Sequence, residues 1–119
     1  KPRKIDSIVS QIDLLPTVIS LAGVSAQTPA IGQDLSAEDV PPANRAMMQF
    51  GNNYAWMTRE GVAILTRGDD MTGLYDVKKS RFVADDKTNS QLREEALAHA
   101  LLPSWLYQNQ AYYVPEDFK

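Results

Sequence analysis

Few residues in this chain have the type and spacing to do chemistry. His99 is the one histidine among 119 residues, and cysteine is absent. A lone imidazole with no second ligand at HxxE or HxH spacing does not make a metal centre, because such centres gather three or more protein ligands. A helix-surface or interface histidine is the simpler reading. The absence of cysteine removes thiolate nucleophiles, thiolate zinc sites and disulfides. Asp69-Asp70 and Asp85-Asp86 are acidic pairs, but neither stretch supplies the alternating oxygen ligands and late Glu of a calcium loop. The glycines form neither GxGxxG nor a P-loop. Ser10, Ser20 and Ser104 lack a nucleophile elbow. Tyr54, Trp56 and Tyr75 fall in strand-like segments, where aromatics serve core and cross-strand packing. A ligand groove is the alternative use for them.

The elements that would position these residues follow from hydrophobic spacing. Ile8, Val9 and Ile12 form a short apolar run that can be extended. A helix is expected from Asp13. Asp13 can cap it by accepting a first-turn amide, and Pro16 is tolerated where amides lack intrahelical partners. Leu14, Val18 and Ala22 recur at four-residue spacing beside Leu15 and Ile19, and Gly23 is a natural stop. This helix is apolar on most of its surface and needs a partner on more than one side. Residues 25–44 contain Pro29, Gly32, Pro41 and Pro42 without periodicity and read as a long connection.

From Arg45 the period changes to two. Met47–Phe50, Tyr54–Thr58, Val62–Leu65, Leu74–Val77 and Arg81–Val83 are candidate strands. The turns between them centre on Glu60-Gly61, Gly68-Asp69-Asp70 and Lys78-Lys79-Ser80. Short connections imply an antiparallel sheet of about four strands. Thr88 and Gln91 have capping-box spacing before a helix whose seam is Leu92, Ala96 and Ala100. Pro103 would crowd the carbonyl of His99, so a break or kink is expected there, with Pro103 starting a second short helix.

Composition narrows the function classes. Apolar residues make up 44% and charged residues 23%, with net charge −3 distributed as −2, +1 and −2 over residues 1–40, 41–80 and 81–119. No third is basic enough for nucleic acid or for an electrostatic membrane module. No run approaches the roughly 18 apolar residues of a membrane span. A compact chain of this length has a radius of gyration of roughly 13–14 Å. The opening Lys1-Pro2-Arg3-Lys4 has no initiator Met and no signal segment, so the chain reads as a piece of a longer protein.

Ser10-Gln11-Ile12-Asp13-Leu14-Leu15-Pro16-Thr17, followed by Leu21-Ala22-Gly23, resembles a V-S-x-x-D-L-L-P-T-x-x-x-L-A-G stretch. That stretch belongs to the sulfatase branch of the alkaline-phosphatase superfamily. Gly32-Gln33-Asp34-Leu35 matches the family's later G-x-x-L element, and Leu74-Tyr75-Asp76-Val77 matches its L-Y-D-hydrophobic step. Sulfatases proper continue with D-P-x-E-x-x-N-L; here Lys78-Lys79-Ser80-Arg81 follows. That departure favours the lipoteichoic-acid-synthase-like, phosphoglycerol-transferase side of the superfamily.

The resemblance implies the C-terminal part of a metal-dependent enzyme acting on sulfate or phosphate esters. Residues 1–25 would be the last strand and helix segment of a large α/β catalytic domain, residues 26–44 a connecting loop, and residues 45–119 a C-terminal antiparallel-sheet-plus-helix subdomain. The implied fold is α+β. Nucleophile and metal ligands lie upstream in such enzymes, so no catalytic, cofactor-binding or metal-binding residue is assigned in this chain. The metal (manganese, magnesium, calcium or zinc) would belong to the parent. Asp13, Pro16, Thr17, Gly23, Gly32, Tyr75 and Asp76 are assigned as structural motif residues. Leu14, Leu15, Val18 and Ile19 are assigned as an interface, to the upstream catalytic domain or, in the isolated chain, to a second copy. The parent would face the periplasm or cell exterior, with any membrane contact made through the parent alone. The competing reading is a non-catalytic module that binds a partner or a glycan through its aromatic strands.

Overall fold

Alternation of apolar side chains through Arg45–Val83, broken by short turns, builds one antiparallel sheet in the computed structural model, which describes residues 4, 6–66, 68, 73–83 and 90–112. Its strands are β1 (Arg45–Phe50), β2 (Asn53–Thr58), β3 (Val62–Thr66), β4 (Gly73–Asp76) and β5 (Arg81–Val83), in sheet order β1-β2-β3-β4-β5. The five strands correspond to the five candidate runs, with the short Arg81–Val83 run paired along β4 through Tyr75↔Phe82. A helix, α1 (Leu14–Leu21), precedes the sheet, and α2 (Ser90–Gln108) follows it. The fold is α+β, as the sequence pattern implies.

The register sorts side chains into two faces, since residues opposite one another in a ladder share a face. The row Met47, Trp56, Ala63, Leu74 and Val83 faces α2, and so do Tyr54 and Leu65. Leu92 and Ala96, one turn apart on α2, complete a core with Trp56, Ala63, Leu65 and Leu74. Glu95 and His99 fix the helix around the Trp56 indole. Trp56 Nε1 donates to Glu95 Oε2 at 3.3 Å, and the His99 ring stacks on the indole at 3.8 Å between centroids. Ala96 lies between them, small enough to let α2 approach the sheet. The buried Gly61 admits the neighbouring strand for the same reason: a Cβ there would stand 3.0 Å from the Tyr75 carbonyl oxygen.

Two local expectations change. Ile8 and Val9 belong to no strand, and Ile12 lies in a single 3-10 turn over Gln11–Asp13. No break occurs at Pro103, and α2 runs through it. Leu101, Pro103, Ser104, Trp105 and Tyr107 are exposed. That half of the helix is lightly packed, so it can yield around the missing N–H and the proline ring. Termination comes later: Gln110 takes φ +53°, and Ala111 N–H returns to the Leu106 carbonyl at 2.9 Å. Asp69-Asp70, Asp85-Asp86, the Thr88 cap and the tail from Tyr113 lie outside the described residues.

The core is small for the chain. Solvent-accessible surface is 9032 Å², where a compact monomer of this mass exposes about 6,400 Å². The radius of gyration is 16.4 Å, above the value expected for a globule of this length.

Leu74, 2% exposed at the centre of the core, is the most sensitive apolar position. Leu74→Ala is expected to lower unfolding free energy by about 2–5 kcal/mol. Leu101→Ala, at a position 56% exposed, should stay within about 0.5 kcal/mol. Urea denaturation of both variants checks the assignment of faces.

Candidate functional site: a polar junction at Asp13

Asp13 occupies the N-cap position of α1, yet its side chain caps nothing ahead of it. An N-cap carboxylate reaches forward from an extended backbone, and Asp13 has helical angles, φ −79° and ψ −11°, because the 3-10 turn leads directly into the helix. The expected first-turn cap is thus replaced by contacts behind and beside the helix. Oδ2 accepts from Ser10 N–H at 2.9 Å. Oδ1 accepts from Gln33 N–H at 2.8 Å and lies 3.3 Å from both terminal nitrogens of Arg45. Asp13 is 3% exposed. A buried carboxylate requires a countercharge and hydrogen-bond donors, and here three separate segments supply them.

Thr17, one turn further along the helix, repeats the arrangement. Its hydroxyl donates to the Asp13 carbonyl at 2.6 Å and accepts from Leu35 N–H at 3.0 Å. Gln33 and Leu35 are two apart, so in an extended segment their amides point the same way. Asp13 and Thr17 are four apart and share a helix face. The D-L-L-P-T and G-x-x-L motifs are therefore two halves of one clamp. Gly32 lets the halves meet: a Cβ there would fall within 3.0 Å of the Ile12 carbonyl carbon and Asp13 Cα, and inside the carbonyl oxygen. Pro16 sits in the first turn, where its missing N–H costs nothing. Gly23 takes φ +68° and ends α1 in a Schellman turn, with Val24 N–H on the Ile19 carbonyl at 3.2 Å and Gly23 N–H on Ser20 at 2.9 Å.

The junction is wired to the sheet at its β1 edge. Met47 N–H donates to Ser10 Oγ at 3.2 Å. Arg45, at the start of β1, carries its guanidinium from Asp13 to 5.9 Å from the Trp56 ring centroid. Beyond the clamp, the Ser36 hydroxyl, 2.6 Å from Asp34 Oδ1, holds that carboxyl below its ordinary value, aided by Ser20 and the Ser36 amide.

The other residues singled out from sequence lie elsewhere. Tyr75 and Asp76 are on β4, remote from the clamp in the sheet order. Tyr75 meets Phe82 edge-to-face at 5.4 Å. Asp76 is held below its ordinary value chiefly by Lys79 N–H at 3.0 Å, which closes the β4–β5 turn. Leu14, Leu15, Val18 and Leu21 are each more than half exposed, so the apolar side of α1 faces solvent, with Ile19 half-buried. Trp56 is 3% exposed and lines no open groove. His99 is committed to packing: its Nδ1 lies 2.8 Å from the Glu95 carbonyl, which can only accept, so Nδ1 donates. Sequence reasoning missed Ser10 and Arg45 as partners of Asp13. The V-S opening of the motif was the available signal for Ser10; Arg45 carried none.

The described residues do not fit a divalent-metal centre, since no three His, Asp or Glu side chains among them are grouped to hold one. The clamp is neutralised internally and offers no activated nucleophile. What the arrangement does is hold a helix, a loop and a sheet edge in one geometry.

No family model matches this chain. Among solved structures it is similar to a protein in the alkaline phosphatase superfamily from Vibrio parahaemolyticus, with 36% identity and a TM-score of 0.76. The match covers 97% of this chain but 28% of that one, so the chain spans little more than a quarter of its relative's length. Likeness at this identity in both sequence and backbone supports placing the chain in that superfamily.

Asp13 and Leu15, two residues apart, should respond to substitution with very different magnitudes. Asp13→Ala strands the Arg45 charge and the Ser10 and Gln33 amides, and should cost about 3–5 kcal/mol. It should also abolish hydrogen-exchange protection at Gln33. Leu15→Asp, at a site 53% exposed, should change stability by less than about 1 kcal/mol. For Asp34, whose folded carboxyl titrates below its unfolded value, the stabilisation is present at neutral pH and is lost as pH falls through the folded value. Ser36→Ala should raise the Asp34 titration midpoint toward the ordinary carboxylate range, read by carbon-detected NMR.

Proposed function

We propose that this chain is the C-terminal part of a longer, metal-dependent enzyme of the alkaline phosphatase superfamily that acts on sulfate or phosphate esters. The carrying observation is the match to the Vibrio parahaemolyticus protein, which spans nearly all of this chain and a minor share of that one. The described residues hold no metal-ligand set; in this reading the nucleophile and the divalent cation belong to upstream polypeptide. Lys78-Lys79-Ser80-Arg81 after the Leu74–Val77 step favours a phosphoglycerol-transferase-like parent over a sulfatase proper. The parent would work on the periplasmic or outer face of a membrane. No helix among the described residues is long and apolar enough to cross one, so membrane attachment would come from the parent.

In this reading the contribution of the chain is architectural. The Asp13–Thr17 clamp joins the end of the catalytic domain to the sheet, and the exposed side of α1 packs under that domain. In the isolated chain the same side of α1 is left to a second copy. Of the three aromatics on which the partner- or glycan-binding alternative would rest, Trp56 lies in the core, while Tyr54 and Tyr75 stay partly exposed.

The test compares the 119-residue chain with the longer natural protein. Aryl sulfate, aryl phosphate and phosphodiester substrates are assayed with manganese, magnesium, calcium and zinc. The longer protein is expected to turn over one ester class with a divalent cation, and the isolated chain none. Turnover by the isolated chain that persists in His99→Ala would overturn the reading.

A further inference from the structure

The face of the sheet turned away from α2 is also apolar. Ala46, Met57, Val62, Tyr75 and Phe82 form one row across all five strands. Met48, Ala55, Ile64 and Gly73 form the next. Neither row contains a charged residue. Antiparallel sheets that face water on one side show polar residues there; an uncharged second face is the pattern of a sheet covered on both sides. Yet α2 packs only against the first face, and Met48, Phe50 and Phe82 are 44%, 87% and 68% exposed.

We propose that this second face is an interdomain surface, covered in the longer protein by polypeptide outside this chain. The inference rests on reading the chain as part of that protein, and not on the chemistry the protein performs. Three observations select this occupant. Ser7, Ile8 and Gln11 share an open cavity of about 690 Å³ with Ala46, Met48 and Met57, so the segment entering the clamp borders this face at β1, while Asp6 and Lys4 line a separate cavity with the 33–42 loop. In the similar solved protein nearly three quarters of the length lies outside the matched unit. The size of the face also excludes a free partner. Five short strands about 4.8 Å apart, three to six residues long at about 3.3 Å each, present on the order of 300 Å². A stable complex between separate molecules takes about 800 Å² per partner. Contacts between domains of one chain hold with roughly 600 Å² in total, because the tether removes most of the association entropy.

Adjacent methionines provide the test, since Met47 faces α2 while Met48 and Met57 line the second face. Hydroxyl-radical footprinting with peptide mass spectrometry is run on the isolated chain and on the longer protein. Met48 and Met57 are expected to oxidise at least tenfold more slowly in the longer protein, with Met47, which packs toward α2 but borders the same cavity, changing much less. Ile64→Glu in the longer protein should return Met48 and Met57 to the rate of the isolated chain. Equal rates in the two wild-type proteins would overturn the proposal. So would protection of Met48 and Met57 in the isolated chain that grows with its concentration, which would make a second copy the occupant. If Ile64→Glu fails to fold, the wild-type comparison still decides. Loss of esterase activity in every assay would leave this footprint unmoved, so the two readings fail separately.

Discussion

A single buried carboxylate organises the first half of this molecule. Asp13 is almost fully removed from water, and a charge so placed is tolerated only with partners. Its donors come from Ser10 before the helix, Gln33 in the connection and Arg45 at the start of the sheet. Each donor fixes a different segment, so burial of one charge sets the entry of the chain, the course of the loop and the position of β1 together. The glycine at position 32 is required by the same geometry, because any side chain there would push the loop off its acceptors.

Arg45 carries the constraint onward. Its guanidinium lies between the Asp13 carboxylate and the Trp56 ring. Trp56 in turn is gripped by Glu95 at its nitrogen and by His99 on its face. A path of polar and aromatic contacts thus runs from α1 across the sheet to α2. His99, read from sequence as a helix-surface or interface histidine, is a packing element in that path. Its Nδ1 proton is directed to a helix carbonyl and its ring plane to the indole.

The molecule is rigid at its junction and unfinished at its surface. The clamp and the Trp56 grip satisfy their own polar groups, while the outer side of α1 and the second sheet face leave apolar area in water. Large exposed apolar surface marks contact with another body. In the proposed reading, where this chain is part of a longer protein, that surface is the part left for its other domains to cover.

The strands were legible from sequence because alternation and turn residues are local signals, set by the two-residue period of a strand. The helix at Leu14–Leu21 and its stop at Gly23 were legible for the same reason, through 3.6-residue spacing and the need for φ above zero. The D-L-L-P-T, G-x-x-L and L-Y-D motifs were visible as separate strings, connected to a superfamily by the specificity of the first and the order of all three. Tertiary structure decided what the strings do. Asp13 was assigned to its own helix, but its acceptors serve residues 20 and 32 positions away. No periodicity encodes such pairings, because they depend on how a long proline-containing loop closes. Pro103 shows the same limit from the other side. A proline predicts a break or kink by local sterics, yet one helix continues through it because that half bears little packing and can adjust. Spacing along the chain determined which elements form; the cost of burying one carboxylate and one indole determined how they meet.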